Sequence, residues 1–174
     1  LEPFSTYAKT QDVVLCNPPF GKLEAVDYNY GGFQIKKLDH LMLAHALATM
    51  KDDGKAALII GGWNKFDKSG RFSPFRAFFN WLYHHYKVVD IINIESKKLY
   101  AKQGTGFPLR MILIGGRKAS PFGAAPTLAD DPALREVVDD FDVLLERVKQ
   151  AKINSHKKED SLDDLLKRAL AMLE

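Results

Sequence analysis

Residues 12–20 read Asp12-Val13-Val14-Leu15-Cys16-Asn17-Pro18-Pro19-Phe20, a short apolar run followed by two prolines. The apolar run is typical of a buried β-strand. Two prolines cannot continue the ladder of a strand, because neither ring nitrogen carries a proton and both φ angles are fixed at about −65°. The chain must therefore turn out at the carboxyl end of the strand, the edge where open α/β sheets bind ligands. The stretch indicates either a binding-site turn or a plain turn that leaves a core strand.

Two helices are predicted after this turn. Residues 37–50 carry apolar side chains at helical spacing, and Gly54 is expected just beyond the helix end, at the C′ position. Ser73 and Pro74 predict the start of a second helix, as N-cap and first helical residue. Its apolar stripe comprises Phe75, Phe78, Phe79, Leu82 and Tyr86. We interpret that stripe as core packing against a sheet.

Three further strands are predicted at residues 55–60, 88–94 and 109–114. Residues 21–34 are rich in Gly, Asp, Asn and Tyr and predict a mobile loop. The polar connection at 95–108 shows no helical pattern, so we expect the last two strands to form an antiparallel hairpin.

This order of elements predicts an α/β fold with a mostly parallel sheet that ends in an antiparallel hairpin. The sequence suggests the second half of a three-layer sandwich, spanning residues 1–118. Residues 119–131 are rich in Pro, Gly and Ala and predict a linker. Residues 132–174 predict an α-helical tail of two amphipathic helices, at 132–152 and 162–173.

The composition of the 174-residue chain is that of a globular protein, with 46% hydrophobic and 27% charged residues. A single cysteine, Cys16, excludes an internal disulfide and a cysteine-rich zinc cluster, and no metal site is predicted. No apolar run approaches the roughly 18 residues of a membrane span. We expect a cytoplasmic protein without a membrane partner, and we interpret the start at Leu1 as the start of a piece of a longer polypeptide.

Residues 12–20 resemble the catalytic strand and loop of S-adenosylmethionine-dependent amino-methyltransferases, the DNA adenine methyltransferases above all. The resemblance covers about residues 11–118. It includes the strand at 54–60 and the segment 100–106 that precedes Arg110-Met111-Ile112-Leu113. It implies the C-terminal, catalytic half of a Rossmann-like class I methyltransferase.

The resemblance implies how the turn would bind and activate the exocyclic amine of adenine, whose lone pair is delocalised into the purine ring. The side-chain oxygen of Asn17 and the carbonyl oxygen of Pro18 would accept the hydrogens of the amine and free its lone pair. Pro18 and Pro19 would hold the loop rigid. Phe20 would supply a flat face on which a base taken out of its helix stacks.

Further residues are implied by the same resemblance. Substrate contacts are expected from Lys22, Lys102, Gln103, Gly104 and Thr105, and cofactor contacts from Asn17 and Asp12. The main loop for S-adenosylmethionine is expected upstream of Leu1, so the chain alone would be inactive. Other interpretations stay open: Lys22 is also an ordinary surface lysine, the segment 102–105 a flexible hairpin tip, and Asp12 the polar start of a strand.

The loop after residue 62 mixes basic and aromatic side chains. Lys65, Lys68 and Arg71 lie close in sequence to Trp63 and Phe66. Such a mixture suits nucleic acid and equally a solvated loop. The net charge of +3 does not distinguish the two.

The resemblance therefore implies the catalytic and target-binding half of a DNA adenine methyltransferase from a bacterial or phage modification, restriction or mobile-element protein, with DNA and the rest of the parent polypeptide as partners. RNA or a protein glutamine are alternative targets, because any planar amino group suits the same turn. A non-catalytic methyltransferase-like module that binds nucleic acid or a protein partner is the third alternative.

Overall fold

The computed structural model of the chain describes residues 7–23, 28–30, 32–99 and 106–153. The strands are β1 (Gln11–Cys16), β2 (Tyr28–Tyr30), β3 (Phe33–Ile35), β4 (Met50–Gly61), β5 (Tyr86–Ile94), β6 (Leu109–Arg117) and β7 (Val137–Val138). The helices are α1 (Leu38–Thr49), α2 (Arg76–His85), α3 (Ser96–Leu99) and α4 (Phe141–Ile153), with a 3-10 turn at Pro132–Arg135. The predicted α/β class is confirmed.

The main sheet has five strands in the order β1-β4-β6-β5-β7. β1 is parallel to β4 and β7 to β5, whereas β6 is antiparallel to both of its neighbours. The predicted antiparallel pair of the last two long strands is thus confirmed. Because β6 alone runs the other way, its first residue, Leu109, lies beside Gly61 and Ile94 at the ends of β4 and β5. One edge of the sheet therefore collects the ends of β1, β4 and β5 and the start of β6.

Helices cover both faces of this sheet. On the first face, α1 and α2 enclose side chains that include Leu41, Leu47, Leu58, Phe79, Leu82 and Ile112. On the second face, α4 packs on side chains that include Ile59, Ile92, Met111, Leu144 and Val148. Each large aliphatic side chain buried in this way contributes about 1.5–3 kcal/mol. The predicted core role of the stripe is confirmed for Phe78, Phe79 and Leu82, which are almost fully buried on α2. Phe75 is the N-cap of α2, and Tyr86 is buried but begins β5, so these two lie outside the helix.

β1 differs from the buried strand that its sequence predicts. Val14 is buried, but Val13 is 41% exposed and Leu15 is only partly buried. Among the described residues, only β4 pairs with β1, so β1 lies at the edge of the sheet. The apolar composition of β1 is that of an interior strand, and its position is that of an edge strand.

The predicted cap of the first helix is wrong, although the predicted span of 37–50 agrees with α1 to within one residue at each end. α1 stops at Thr49, and β4 begins at once with Met50, which pairs with Gln11 of β1. Gly54 lies inside β4 and does not cap the helix. A Cβ atom on Gly54 would stand 2.6 Å from Cγ of Met50 and 3.1 Å from the carbonyl oxygen of Asp12, so close packing explains this glycine.

The predicted start of the second helix is also wrong. α2 begins at Arg76, and Phe75 occupies the N-cap position without a side-chain cap. Ser73 belongs to the preceding loop, because its backbone N–H donates to the carbonyl oxygen of Lys65. The Ser73–Pro74 peptide bond is cis.

The loop predicted at 21–34 contains regular structure. β2 and β3 form a short antiparallel hairpin. Ile35 is buried, and the ring of Phe33 lies 5.2 Å from that of Trp81 on α2. These apolar contacts hold the end of the segment against the first face of the sheet.

The single helix predicted at 132–152 is wrong in its first part. The segment forms the 3-10 turn, then β7, and only then α4. The side-chain amide of Asn93 donates to the carbonyl oxygens of Leu134 and Glu136, and Leu134 is fully buried. These contacts hold the segment beside β5 as a fifth strand. The helix predicted at 162–173 lies outside the described residues, and no helix within the described ranges is long and apolar enough to cross a membrane.

Residues 119–131, the predicted linker, contain no helix or strand. Hydrogen bonds from backbone N–H groups tie this segment to the fold. Phe122 donates to the carbonyl oxygen of His84, Ala125 to Oδ1 of Asn80, and Leu128 to the carbonyl oxygen of Gly70.

Candidate functional site

The turn Asn17-Pro18-Pro19-Phe20 leaves the sheet at the carboxyl end of β1, where the sequence places it. Pro18 is buried, whereas Asn17, Pro19 and Phe20 are exposed. Phe20 retains 37% of its surface, which is unusual for a large aromatic side chain. The turn is therefore anchored by one proline and presents an amide and an aromatic ring.

The ring of Phe20 lies against the last residue of β4. A Cβ atom on Gly61 would stand 3.2 Å from Cγ of Phe20 and 3.5 Å from its Cδ1. The shorter distance is tighter than nine in ten contacts of real Cβ atoms, so a side chain here would require the ring to shift by a few tenths of an ångström. Gly61 is thus a backbone platform for Phe20.

Three side chains fix this platform. The N–H of Gly61 donates to Oδ2 of Asp39 at 3.0 Å. Its carbonyl oxygen accepts from Nη2 of Arg110 at 3.3 Å and from Nζ of Lys37 at 3.5 Å. Both hydrogen-bonding groups of Gly61 are therefore held by charged side chains, which restricts movement of the strand end beneath Phe20.

These charged side chains balance one another inside the protein. Asp39 is fully buried, and its Oδ2 lies 3.6 Å from Nζ of Lys37. Arg110 is only 3% exposed; burial lowers its pKa to about 10, and the charge of Asp39 opposes this shift. Arg110 also donates to Oδ1 of Asn64 and lies over the ring of Phe79. The guanidinium therefore stays protonated at neutral pH.

Sequence reasoning missed Lys37, Asp39 and Arg110 as neighbours of the turn. Lys37 and Asp39 flank the start of α1, and Arg110 is the second residue of β6. The available signal was a charged residue at the start of an apolar strand, because Arg110 stands directly before Met111-Ile112-Leu113. Its partner on α1 is distant in sequence, so only the fold reveals the cluster.

Lys22 follows the turn at the same edge of the sheet. It is exposed and forms an isolated backbone bridge with Lys37, while the carbonyl oxygen of Gly21 accepts from the N–H of Leu38. The start of α1 thereby fixes the chain just after Phe20. Lys22 is therefore an exposed cation two residues after Phe20.

Asp12 lies away from the turn. It is near the start of β1, and its exposed carboxylate pairs with Nζ of Lys51 at 2.7 Å. With a rise of about 3.3 Å per residue, roughly 15 Å separates it from Asn17. We therefore leave Asp12 out of the site, because its position agrees with the polar start of a strand.

The predicted substrate residues Lys102, Gln103, Gly104 and Thr105 lie outside the described residues. The described chain resumes just after them, at the same edge of the sheet. Phe107 is 69% exposed there, and the next carbonyl, of Pro108, accepts from the N–H of Gly62 at 2.6 Å. Phe107 is thus a second exposed aromatic residue at this edge, which sequence reasoning did not single out.

The two side chains with the largest pKa shifts in this part of the described chain besides Arg110 are Cys16 and His40. Burial raises the pKa of the Cys16 thiol to about 11, so it stays protonated. His40 is stacked on Phe78 at 4.0 Å, and burial lowers its pKa to about 2, so it stays neutral. Within the described ranges, no three His, Cys, Asp or Glu side chains group as metal ligands.

No family model matches this chain, and no curated protein or solved structure matches it either. What the site offers chemically is an exposed amide, a rigid proline turn and an aromatic face on a fixed backbone platform. Such an arrangement suits a planar group that needs hydrogen-bond acceptors in its plane and stacking on its face.

Proposed function

We propose that this chain carries the acceptor site of an S-adenosylmethionine-dependent methyltransferase that modifies the exocyclic amine of adenine in DNA. The observation that carries the proposal is the placement of Asn17-Pro18-Pro19-Phe20 at the carboxyl end of β1, with Phe20 supported by Gly61. The mixed sheet, with its antiparallel last pair of long strands, agrees with the fold that the resemblance implies.

The chemistry of the acceptor explains why an amide and a carbonyl stand here. The exocyclic nitrogen of adenine is a poor nucleophile while its lone pair is shared with the ring. Hydrogen bonds from its two N–H groups to the oxygens of Asn17 and Pro18 favour a tetrahedral nitrogen with a free lone pair. When bound, S-adenosylmethionine supplies a methyl group on a positively charged sulfur. Preorganised polar partners of this kind contribute about 10²–10³-fold to turnover.

Phe20 supplies the second part of the acceptor site. An adenine leaves the base stack at a cost of a few kcal/mol before an enzyme can act on it. Stacking on an aromatic side chain returns about 1–3 kcal/mol per base. The partial exposure of Phe20 and the fixed platform beneath it fit this role.

The described residues fit the acceptor better than the methyl donor. Asn17 is the one described residue that we assign to both. Within the described ranges, β1 pairs only with β4, on one of its two sides, although its composition is that of an interior strand. We therefore infer that the segment that holds the donor pairs with the other side of β1. This arrangement brings its carboxyl end beside Asn17, in the crevice where α/β sheets bind ligands.

Two other functions share parts of this geometry. An RNA adenine or a protein glutamine also offers a planar amine, and a non-catalytic module would bind nucleic acid through the same edge. The test incubates the natural polypeptide that contains this sequence with labelled S-adenosylmethionine and, separately, with unmethylated DNA, RNA or protein. The label incorporated into each substrate is measured. We expect label in DNA, as N6-methyladenine. Label in RNA or protein alone would reassign the target, and DNA binding without label would favour the non-catalytic module.

A further inference from the structure

Two short segments of the chain carry an excess of positive charge: residues 147–158, with five basic and no acidic side chains, and residues 65–76, which follow the end of β4. Residues 65–76 contain four basic side chains and one acidic side chain, a net charge of +3. This value equals the formal net charge of all 174 residues, so the remainder of the chain is formally neutral. The four basic residues are Lys65, Lys68, Arg71 and Arg76, and all are exposed.

The first part of this segment is an ordered hairpin. Phe66 and Phe72 form an antiparallel backbone bridge, and the N–H of Ser73 donates to the carbonyl oxygen of Lys65 at 2.8 Å. Phe72 is 2% exposed and stacks on Phe79 of α2 at 4.2 Å. We name residues 65–73 the basic hairpin. Its two aromatic residues anchor it to the core, and its cations remain in solvent.

The tip of the basic hairpin is held by Asp67. Oδ1 of Asp67 accepts from the backbone N–H groups of Ser69 at 2.8 Å and Arg71 at 3.0 Å. These hydrogen bonds lower the pKa of Asp67, so the carboxylate stays ionised and bound to the backbone. Gly70, with φ of +73°, completes the turn, and its carbonyl oxygen accepts from the N–H of Leu128.

None of the four cations of this segment forms an ion pair within 4.0 Å with a carboxylate of a described residue. Arg71 and Arg76 act on Asp67 only at longer range, where their charges help to lower its pKa. At the opposite edge of the sheet, Lys9 pairs with Asp52 and Lys51 with Asp12. The four cations are therefore exposed and can attract a polyanion.

The basic hairpin begins four residues after Gly61, the platform for Phe20. Asn64, between the two, is buried and fixed by Asn93 and Arg110, so the hairpin has a defined position beside the turn. We propose that the basic hairpin binds backbone phosphates of duplex DNA and thereby positions the helix over the acceptor turn. The choice of DNA rests on the proposed function. Phosphate contacts of this kind set affinity and register without reading sequence.

The test is the salt dependence of binding to a short fluorescein-labelled DNA duplex of arbitrary sequence. The variant replaces Lys65, Lys68 and Arg71 with Gln in the full chain. Each lost phosphate contact lowers the slope of log K against log salt by about 0.9, so we expect a decrease of roughly 2 to 3. Affinity for unrelated duplexes should fall equally.

The matched control is the triple variant Lys9→Gln, Lys51→Gln and Lys87→Gln, which removes the same charge from exposed or half-exposed sites at the other edge. We expect the control to keep the slope of the unmodified protein. Equal slopes for the two triple variants would overturn the proposal, as would the absence of salt-dependent DNA binding by the unmodified protein. The same titrations are repeated with a single-stranded RNA. If the variant of Lys65, Lys68 and Arg71 lost affinity for this RNA but not for duplex DNA, the assignment to DNA would be overturned.

This measurement needs neither methyl donor nor turnover. A protein that shows the expected slopes but transfers no methyl group would contradict the proposed function and leave the hairpin assignment standing. A protein that methylates DNA with equal slopes for both triple variants would contradict only the hairpin assignment.

Discussion

The ring of Phe20 packs where the Cβ atom of any residue other than glycine at position 61 would approach it. The residue lies on Gly61, whose N–H and carbonyl groups are held by Asp39, Arg110 and Lys37. A methyl group on Gly61 would occupy space that the ring now fills. The aromatic face is therefore positioned by a strand end that is distant from it in sequence.

The variant Gly61→Ala tests this dependence. Displacement of the ring should remove much of the stacking contribution, which is about 1–3 kcal/mol per base. The measurement is affinity for a duplex in which 2-aminopurine replaces the target base, followed by its fluorescence.

Gly21→Ala is the matched control, because a Cβ atom there meets Leu38 only at 4.0 Å. It adds the same methyl group one residue after Phe20. Equal affinity and equal 2-aminopurine fluorescence for the two variants would contradict the platform role of Gly61.

The position of Asn17 and Phe20 could be predicted from sequence because two prolines force a turn at the end of an apolar run. The Asp39–Arg110 cluster could not, because its members come from a helix start and a strand start that only tertiary packing brings together. Asp12 is close to the turn in sequence, but it lies near the start of β1 and pairs there with Lys51, so only the structure shows which end of the strand it occupies.

The interface between α1 and α2 contains a histidine that behaves as an apolar ring. His40 is 1% exposed, stacked on Phe78, and edge-on to Phe75 at 4.9 Å. Burial is the main cause that lowers its pKa to about 2, and the charges of Arg110 and Lys37 add to the effect. The folded protein therefore holds His40 neutral over the whole physiological range.

This shift predicts how stability depends on pH. The unfolded chain binds a proton at His40 below its ordinary pKa of about 6.5, whereas the folded protein binds it only near pH 2. The contribution of His40 to stability is thus complete above about pH 6.5 and is lost as pH falls, by about 1.4 kcal/mol per pH unit. His40→Phe should remove this part of the slope in urea unfolding between about pH 6 and pH 4.

His84→Phe is the control for that experiment, because the ring of His84 hydrogen-bonds at the surface to the carbonyl oxygen of Gly123. It should keep the pH slope of the unmodified protein. An unchanged slope in His40→Phe would show that His40 does not control this pH dependence.

Helices and strands were predictable where a pattern is long and local, as for α1, α2, β5 and β6. The residues at which helices and strands begin and end were less predictable. Gly54 resembles a helix cap in sequence, yet it allows close packing of β4. Ser73 resembles an N-cap, yet its N–H serves the hairpin. In both cases a tertiary contact outweighs the local signal.

The whole molecule is a five-strand sheet with a helical layer on each face and a site at one edge. The α/β class follows from the order of the patterns along the chain. β7 could not be predicted from these patterns, because it has only two residues, Val137 and Val138. It pairs with β5 where the side chain of Asn93 binds the carbonyl oxygens of Leu134 and Glu136. Within the described ranges, β1 has no partner strand on the side that faces away from β4. We place the segment that binds the methyl donor on that side.

The most direct test of the acceptor site is turnover of the natural polypeptide that contains this sequence, with Asn17 replaced by Ala. The measurement is formation of N6-methyladenine in unmethylated DNA, with kcat and KM determined separately. Gln150→Ala, at an exposed position of α4, is the matched control. We predict that Asn17→Ala lowers kcat by about 10²–10³-fold with little change in KM for S-adenosylmethionine, while Gln150→Ala keeps kcat. Wild-type kcat in the Asn17→Ala protein would contradict the account.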